Sequence, residues 1–111
     1  MRFVIVMAAL GLICGTAGAA VAEDMPEFQL SIKDHRYDPT VIEIPANTKV
    51  KIVVKNLDPT PEEFESFELN REKIVAGGKE ITVFIGPLSP GTYPFFGDFN
   101  QATAQGKVIA K

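Results

Sequence analysis

The stretch Val41–Asn56, "VIEIPANTKVKIVVKN", decides the fold class of this 111-residue chain. It contains two short apolar runs separated by Pro45–Thr48, and the proline and asparagine in that segment suit the backbone of a turn. In the second run every other residue is apolar, which is the two-residue period of a half-buried strand. The residues of that face are Val50, Ile52 and Val54. The stretch therefore predicts a strand, a turn and a second strand.

The same alternation recurs on both sides of this stretch. Further strands are predicted at 28–32, 63–69, 81–85, 92–96 and 106–110. The 63–69 segment is ambiguous because Phe64 and Phe67 are three residues apart, which also suits a helical turn. We interpret it as a strand followed by an irregular or single-turn connection. Six or seven short strands separated by proline and glycine turns predict an all-β, antiparallel β-sandwich of about seven strands.

The N-terminal segment has the features of a secretory signal peptide. Arg2 precedes a short apolar run, and small residues ending in Ala20–Ala22 form a cleavage site. We predict a signal peptide at residues 1–22 and one domain at residues 23–111. An uncleaved membrane anchor is the alternative, although the apolar run is short for a membrane span. Cys14 also suggests a lipidation site, but the bulky Ile13 before it argues against this.

Composition excludes several classes of function for the predicted domain. All fourteen acidic residues and ten of the eleven basic residues lie within 23–111, which gives this part a net charge of −4. A nucleic-acid-binding protein needs a basic face, so no nucleic-acid partner is expected. The single cysteine, Cys14, lies in the predicted signal peptide, so the domain has no disulfide and no thiolate. No serine nucleophile with a partner base and no phosphate-binding glycine loop is recognisable.

An acidic segment with interleaved aromatic residues is the densest chemical feature. Five of the fourteen carboxylates lie between residues 62 and 72. One interpretation is a solvated acidic loop, balanced by Arg71 and Lys73. The other is a cation site, because Phe64 and Phe67 hold the segment against a core and make its carboxylates converge. The candidate ligands from this segment are Glu62, Glu63, Glu65 and Glu68.

Two further residues are candidates to complete such a site. His35 is the only histidine, and such a histidine taken alone is more often a surface or hydrogen-bonded residue than a metal ligand. Asp98 follows Gly97, which permits a close approach of the backbone. We expect two or three of the five clustered carboxylates to bind a cation together with His35 or Asp98.

Three motifs resemble those of the cupredoxins. They are "YDPTVIEIPANTKVKIVVKNLDPTP" at 37–61, "PLSPGTYPFFG" at 87–97 and "GKVIA" at 106–110. The resemblance extends from about Phe28 to Lys111 and implies a Greek-key β-sandwich. The resemblance also shows which residues stand at the positions of the blue-copper ligands. Glu62 and Asn100 replace the two histidines, Gly97 replaces the cysteine, and Ala104 or Gln105 replaces the methionine. A blue copper centre needs a thiolate and two imidazoles, so electron transfer by that route is not expected.

A narrower group shares this departure. "TPEEFES", "LNREK" and "GPLSPGTYPFFGDF" resemble the cupredoxin-like periplasmic proteins of bacterial iron-uptake systems, including the EfeO-type domain. This resemblance implies a periplasmic protein that binds iron, with copper as the alternative. Its implied partners are a membrane iron permease and other periplasmic uptake components. It also implies that Glu62 replaces a histidine ligand, that Asp98 flanks the lost cysteine, and that His35 lies at the same end of the sandwich.

Two alternatives to a metal-binding module stay open at this point. The first is a metal-free interaction module that docks on a permease through its acidic end face. The second is a ferroxidase, in which a carboxylate site binds Fe(II) and passes its electron to an acceptor. The sequence alone does not decide whether the protein is an enzyme.

Overall fold

The computed structural model describes residues 25–111. The predicted signal peptide at residues 1–22 lies outside the described residues. Within the described part, no helix is long and apolar enough to cross a membrane.

Nine strands and one 3₁₀ turn make up the described chain. The strands are β1 Glu27–Lys33, β2 Arg36–Asp38, β3 Val41–Ile44, β4 Val50–Asn56, β5 Glu62–Ser66, β6 Arg71–Val75, β7 Glu80–Ile85, β8 Gly91–Gly97 and β9 Gln105–Ala110. The 3₁₀ turn Asp98–Asn100 follows β8 directly. All seven predicted strands are present, so the prediction of an all-β fold is confirmed.

The strands form two sheets packed as a sandwich. One sheet has the order β2-β1-β4-β7 and the other the order β3-β9-β8-β5-β6. Most neighbours are antiparallel, as predicted, but β1 pairs with β4 and β3 pairs with β9 in parallel. Alternating apolar residues show that a segment is a strand without showing its direction, so the sequence did not reveal these two parallel pairs.

Two strands were not predicted, β2 and β6. β2 has only three residues, of which Tyr37 alone is buried. β6 lies at the edge of its sheet, and only Val75 of its five residues is buried. Neither segment shows an alternation of apolar and polar residues, because neither buries a full face.

The core between the sheets consists of the residues that alternate inward along each strand. Its aromatic part is a cluster of three rings from β2, β5 and β8. The ring centroids of Tyr37 and Phe95 are 5.1 Å apart, as are those of Phe64 and Phe95. Burial of an aromatic side chain contributes roughly 1.5–3 kcal/mol, so Phe64 holds β5 firmly against the core.

The burial of Phe64 fixes the orientation of the whole acidic strand β5. Because successive side chains point to opposite faces of a sheet, Glu62 and Ser66 share the inner face with Phe64. Glu63 and Glu65 project from the outer face. The four charged and aromatic residues of β5 are therefore divided between two faces of one sheet.

Candidate metal centre

Three carboxylates converge on the outer face of the second sheet. Within residues 25–111, the ligand atoms of Glu63, Glu65 and Glu72 all lie within 4.8 Å of one another. Glu63 is buried, Glu65 is half-buried and Glu72 is exposed. We call these three residues the outer carboxylate group.

The pairing of β5 with β6 creates this group. Glu65 lies directly opposite Glu72 in the antiparallel register, and Glu63 lies on the same face two residues earlier. Facing carboxylates in a strand pair repel each other, so this register costs free energy unless a proton or a cation lies between them.

Asp98 adds a fourth negative charge close to the group. Phe64 of β5 pairs with Gly97 of β8, so Asp98 follows at the edge of the outer face. The charge of Asp98 contributes to raising the pKa of both Glu63 and Glu65. Its side chain also accepts a hydrogen bond of 2.7 Å from Nε2 of Gln101.

Two members of the outer carboxylate group, Glu63 and Glu65, retain protons more strongly than ordinary glutamates. Burial, a hydrogen bond with Glu72 and the negative charges nearby raise the pKa of Glu63 to about 7. Burial, followed by the charges of Glu72 and Asp98, also raises the pKa of Glu65. Burial is the larger cause of both shifts, and the neighbouring negative charges that add to it are charges that a bound cation would neutralise.

Glu62 points in the opposite direction and is occupied by protein donors. Its side chain is 1% exposed. Oε1 accepts hydrogen bonds from the backbone N–H of Glu63, at 2.9 Å, and of Phe99, at 2.8 Å. Oε2 accepts a hydrogen bond of 2.7 Å from Nδ2 of Asn100. The carboxylate of Glu62 therefore binds the 3₁₀ turn instead of facing the other carboxylates.

The positions that the resemblance aligns with the blue-copper ligands come together around this carboxylate. A Cβ atom added to Gly97 would lie 2.6 Å from Cδ of Glu62 and 2.8 Å from Cβ of Ala104. The backbone N–H of Gly97 donates to the carbonyl of Ala104 at 2.8 Å. Glu62, Asn100 and Ala104 therefore surround Gly97, and the Glu62 carboxylate fills the space beside it.

His35 pairs with an aspartate that the sequence analysis did not single out. Nδ1 of His35 is 3.7 Å from Oδ2 of Asp58, and the His35 side chain is 48% exposed. Asp58 also accepts hydrogen bonds from the backbone N–H groups of Asp34, at 2.7 Å, and His35, at 3.0 Å. The hydrogen bond from the His35 N–H, with that from Asp34, lowers the pKa of Asp58 despite burial.

The backbone of His35 nevertheless reaches the end of the sandwich where Asn100 lies. The hydroxyl of Thr103 donates a 2.6 Å hydrogen bond to the carbonyl of His35, and the N–H of Thr103 donates to the carbonyl of Asn100. His35 is not part of the outer carboxylate group. Glu68 lies exposed in the turn between β5 and β6 and is also outside the group.

Glu72 was not among the six candidate ligands, although it belongs to the same acidic segment. It joins the group because β6 folds back beside β5. The signal in the sequence is the four-residue loop Phe67–Asn70, whose last residue has a positive φ of 54°. Asparagine tolerates that conformation, so "FELN" marks a hairpin that places Glu72 opposite Glu65.

Exposed apolar side chains surround the carboxylates. Phe67 is 74% exposed, and its ring centroid lies 5.4 Å from that of Phe96. Phe96 is directly opposite Glu65 in the strand pair. Ile74 is opposite Glu63 and is 57% exposed.

Solved structures with the same fold include copper proteins. Auracyanin A of Chloroflexus aurantiacus, a "blue" copper protein, matches with a TM-score of 0.66 at 12% identity, covering 77% of this chain and 98% of that one. The metal-binding domain of a Cu(I)-exporting P-type ATPase of Streptococcus pneumoniae matches with a TM-score of 0.69 at 14% identity, covering 77% and 84%. At these identities the matches establish the fold alone.

Sequence relatives place the chain in a family. An uncharacterized protein of Rickettsia prowazekii (strain Madrid E) is 46% identical over 87 residues, which cover 78% of this chain and 70% of that protein. The family model for the cupredoxin-like domain matches residues 4–110. The chain belongs to the cupredoxin-like domain family.

Proposed function

We propose that this chain is a periplasmic metal-binding protein that binds a hard cation at the outer carboxylate group and assists iron uptake. The observation that carries the proposal is the convergence of Glu63, Glu65 and Glu72, whose ligand atoms lie within 4.8 Å of one another. The negative charge of Asp98 acts on both Glu63 and Glu65 and adds to the attraction for a cation. The cation relieves the mutual repulsion of carboxylates that the fold holds together.

The chemistry of the donors favours iron over Cu(I). Carboxylate oxygens suit iron, manganese and calcium ions, whereas Cu(I) prefers thiolate and thioether sulfur. Two of the structural relatives are copper proteins by name. Residues 25–111 contain one histidine and no cysteine, so they do not fit a blue copper centre. Cu(II) is the copper species that an oxygen-rich group would bind.

The proposed location and partner rest on sequence features. The predicted signal peptide at residues 1–22 supports export to the periplasm. The resemblance of "TPEEFES" and "GPLSPGTYPFFGDF" to proteins of iron-uptake systems supports a membrane iron permease and other uptake components as partners. In this role the protein presents a bound iron ion to the permease, and it does so without blue-copper chemistry.

Titration of metal ions into residues 23–111 tests the proposal. Mn(II), anaerobic Fe(II) and Cu(II) are added separately to the wild type, to Glu65→Gln/Glu72→Gln and to Glu80→Gln. Glu80 is exposed on the other sheet, so its substitution removes a charge without touching the outer carboxylate group. We expect wild-type binding well below millimolar and a loss of about tenfold or more in the double variant, with Glu80→Gln unchanged.

Two results would contradict the proposal. One is the absence of any wild-type binding tighter than about millimolar. The other is equal binding by the wild type and the double variant, which would place the metal elsewhere.

A second candidate function is docking without metal, and the exposed apolar residues favour it. Phe67 and Ile74 are both more than half exposed beside the carboxylates. An apolar rim around an acidic centre fits a partner surface that carries a lysine or arginine. If the protein docks without metal, charge reversal at Glu65 and Glu68 abolishes co-purification with a permease. The metal content of the wild type then stays negligible.

A further inference from the structure

The Glu62 carboxylate connects the two segments that carry the outer acidic residues. Oε1 accepts from the N–H of Glu63 on β5 and from the N–H of Phe99 in the 3₁₀ turn. Oε2 accepts from the side chain of Asn100 in the same turn. Glu63 itself belongs to the outer carboxylate group, and Phe99 directly follows Asp98.

This connection passes through the sheet from its inner to its outer face. The Glu62 side chain is almost completely buried, so water does not compete strongly for its hydrogen bonds. Hydrogen bonds to a carboxylate are among the stronger ones in proteins. The relative placement of Glu63 and Asp98 is therefore fixed by a residue on the opposite face.

The space for this carboxylate depends on the absence of a side chain at residue 97. A Cβ at Gly97 would approach Cδ and Oε1 of Glu62 to 2.6 Å and 2.9 Å. Three of the roughly four lone-pair positions of the carboxylate already accept protein hydrogen bonds. A cation at Glu62 would have to displace these donors.

We propose that Glu62 is a positioning residue, which holds Asp98 and Glu63 in register for cation binding on the outer face without binding the cation itself. This inference rests on the proposed function. It also reassigns Glu62, which the sequence resemblance implied to be a ligand. The positioning contact consists of two hydrogen bonds of the Glu62 carboxylate. Oε1 accepts from the N–H of Phe99, and Oε2 accepts from Nδ2 of Asn100.

A charge-matched exchange of the two side chains tests this role. In Asn100→Asp the donor to Oε2 is replaced by a second carboxylate, so the 3₁₀ turn is pushed away from Glu62. In Glu62→Gln/Asn100→Asp, Oε1 of the new glutamine accepts from the same two N–H groups, and its Nε2 donates to the new aspartate. The double variant has the wild-type net charge and all three hydrogen bonds, with the polarity of one of them reversed.

The dissociation constant of Mn(II) is measured by electron paramagnetic resonance for the wild type, Asn100→Asp, Glu62→Gln and the exchange Glu62→Gln/Asn100→Asp. We expect Asn100→Asp to weaken binding by about tenfold, although it adds a negative charge, and the exchange to restore it to within about threefold of wild type. Circular dichroism monitors folding in each sample. If Asn100→Asp does not fold, Asn100→Leu, which removes the donor without adding charge, takes its place with the same direction of effect.

Three outcomes overturn the inference, and they are distinguishable. If the wild type does not bind Mn(II), the proposed function fails and the positioning role fails with it. If the wild type binds and Asn100→Asp binds equally or more tightly, only the positioning role fails. If Glu62→Gln alone abolishes binding and the exchange does not restore it, Glu62 is a ligand.

Discussion

Asn100 donates a 2.7 Å hydrogen bond from Nδ2 to Oε2 of Glu62, a residue that precedes it by 38 positions in the sequence. The cupredoxin resemblance aligns both residues with histidines of the blue-copper pattern. In this chain the two side chains are hydrogen-bonded to each other. The carboxylates that we propose to bind a cation are those on the outer face.

Gly97→Ala should destabilise the protein because of its contact with Glu62. The backbone of Gly97 has φ −99° and ψ 112°, which alanine adopts without strain, so only the space beside Glu62 and Ala104 is at issue. We expect a loss of about 1–3 kcal/mol in the free energy of unfolding, measured in urea. Gly91→Ala is the matched control, since the nearest atom to its added Cβ is 3.6 Å away, in Tyr93. Equal stability of the two variants would mean that the space at Gly97 is not restricted.

Glu63→Gln should change how stability depends on pH. The pKa of Glu63 is raised from 4.5 to about 7, so between these values the folded state binds more protons than the unfolded state. This contribution makes the wild type lose stability as the pH rises from about 4.5 to about 7. Glutamine stays neutral, so between pH 5 and pH 8 the wild type should lose roughly 2–3 kcal/mol more of its free energy of unfolding than the variant does. Thermal unfolding of both proteins at the two pH values, in the presence of a chelator, measures this difference in stability. An equal change of stability with pH in both proteins would contradict the prediction.

Asp58→Asn should be much more disruptive than His35→Gln. Asp58 accepts two backbone N–H bonds in the turn after β1, and an asparagine amide cannot accept both in the same way. We expect a cost of about 1–3 kcal/mol for Asp58→Asn and below about 1 kcal/mol for His35→Gln, whose side chain is half exposed. Urea unfolding at pH 7 compares them.

Asp58 also leads to a prediction about stability at acidic pH. Because the backbone donors lower the pKa of Asp58, its contribution to stability is present above pH 3.8 and is lost as the pH falls through the lowered pKa. Asp58→Asn should therefore lose less stability than the wild type below about pH 4.

Mn(II) binding should be unchanged in His35→Gln. A large loss of binding would show that the histidine is a ligand.

The strands of the core could be predicted because each buries one complete face. Leu30 and Ile32 in β1, like Val83 and Ile85 in β7, alternate with less buried residues. β6 was not predicted from the sequence because an edge strand needs little apolar surface. Its absence from the predicted fold is the reason that Glu72 was not recognised, since the contact of Glu65 with Glu72 exists only through the β5–β6 register.

The sequence indicates less directly which face of the sheet each glutamate side chain points to. Alternation implies that Glu62 and Glu63 face opposite sides, but it does not say which side is the core. The burial of Phe64 decides this, and it places Glu62 beside the backbone N–H of Phe99 and the side-chain amide of Asn100, both more than thirty residues away. Long-range hydrogen bonds of this kind have no local signal in a single sequence.

The most direct test of cation binding is an anomalous difference map from a crystal of residues 23–111 soaked in Mn(II). We expect a peak between Glu63, Glu65 and Glu72, about 2.0–2.3 Å from their nearest carboxylate oxygens, with Asp98 at the edge of the site. We also expect the hydrogen bonds of Glu62 to Phe99 and Asn100 to persist in the soaked crystal. A peak at Glu62 or His35, or no peak at millimolar Mn(II), would contradict the proposed cation site.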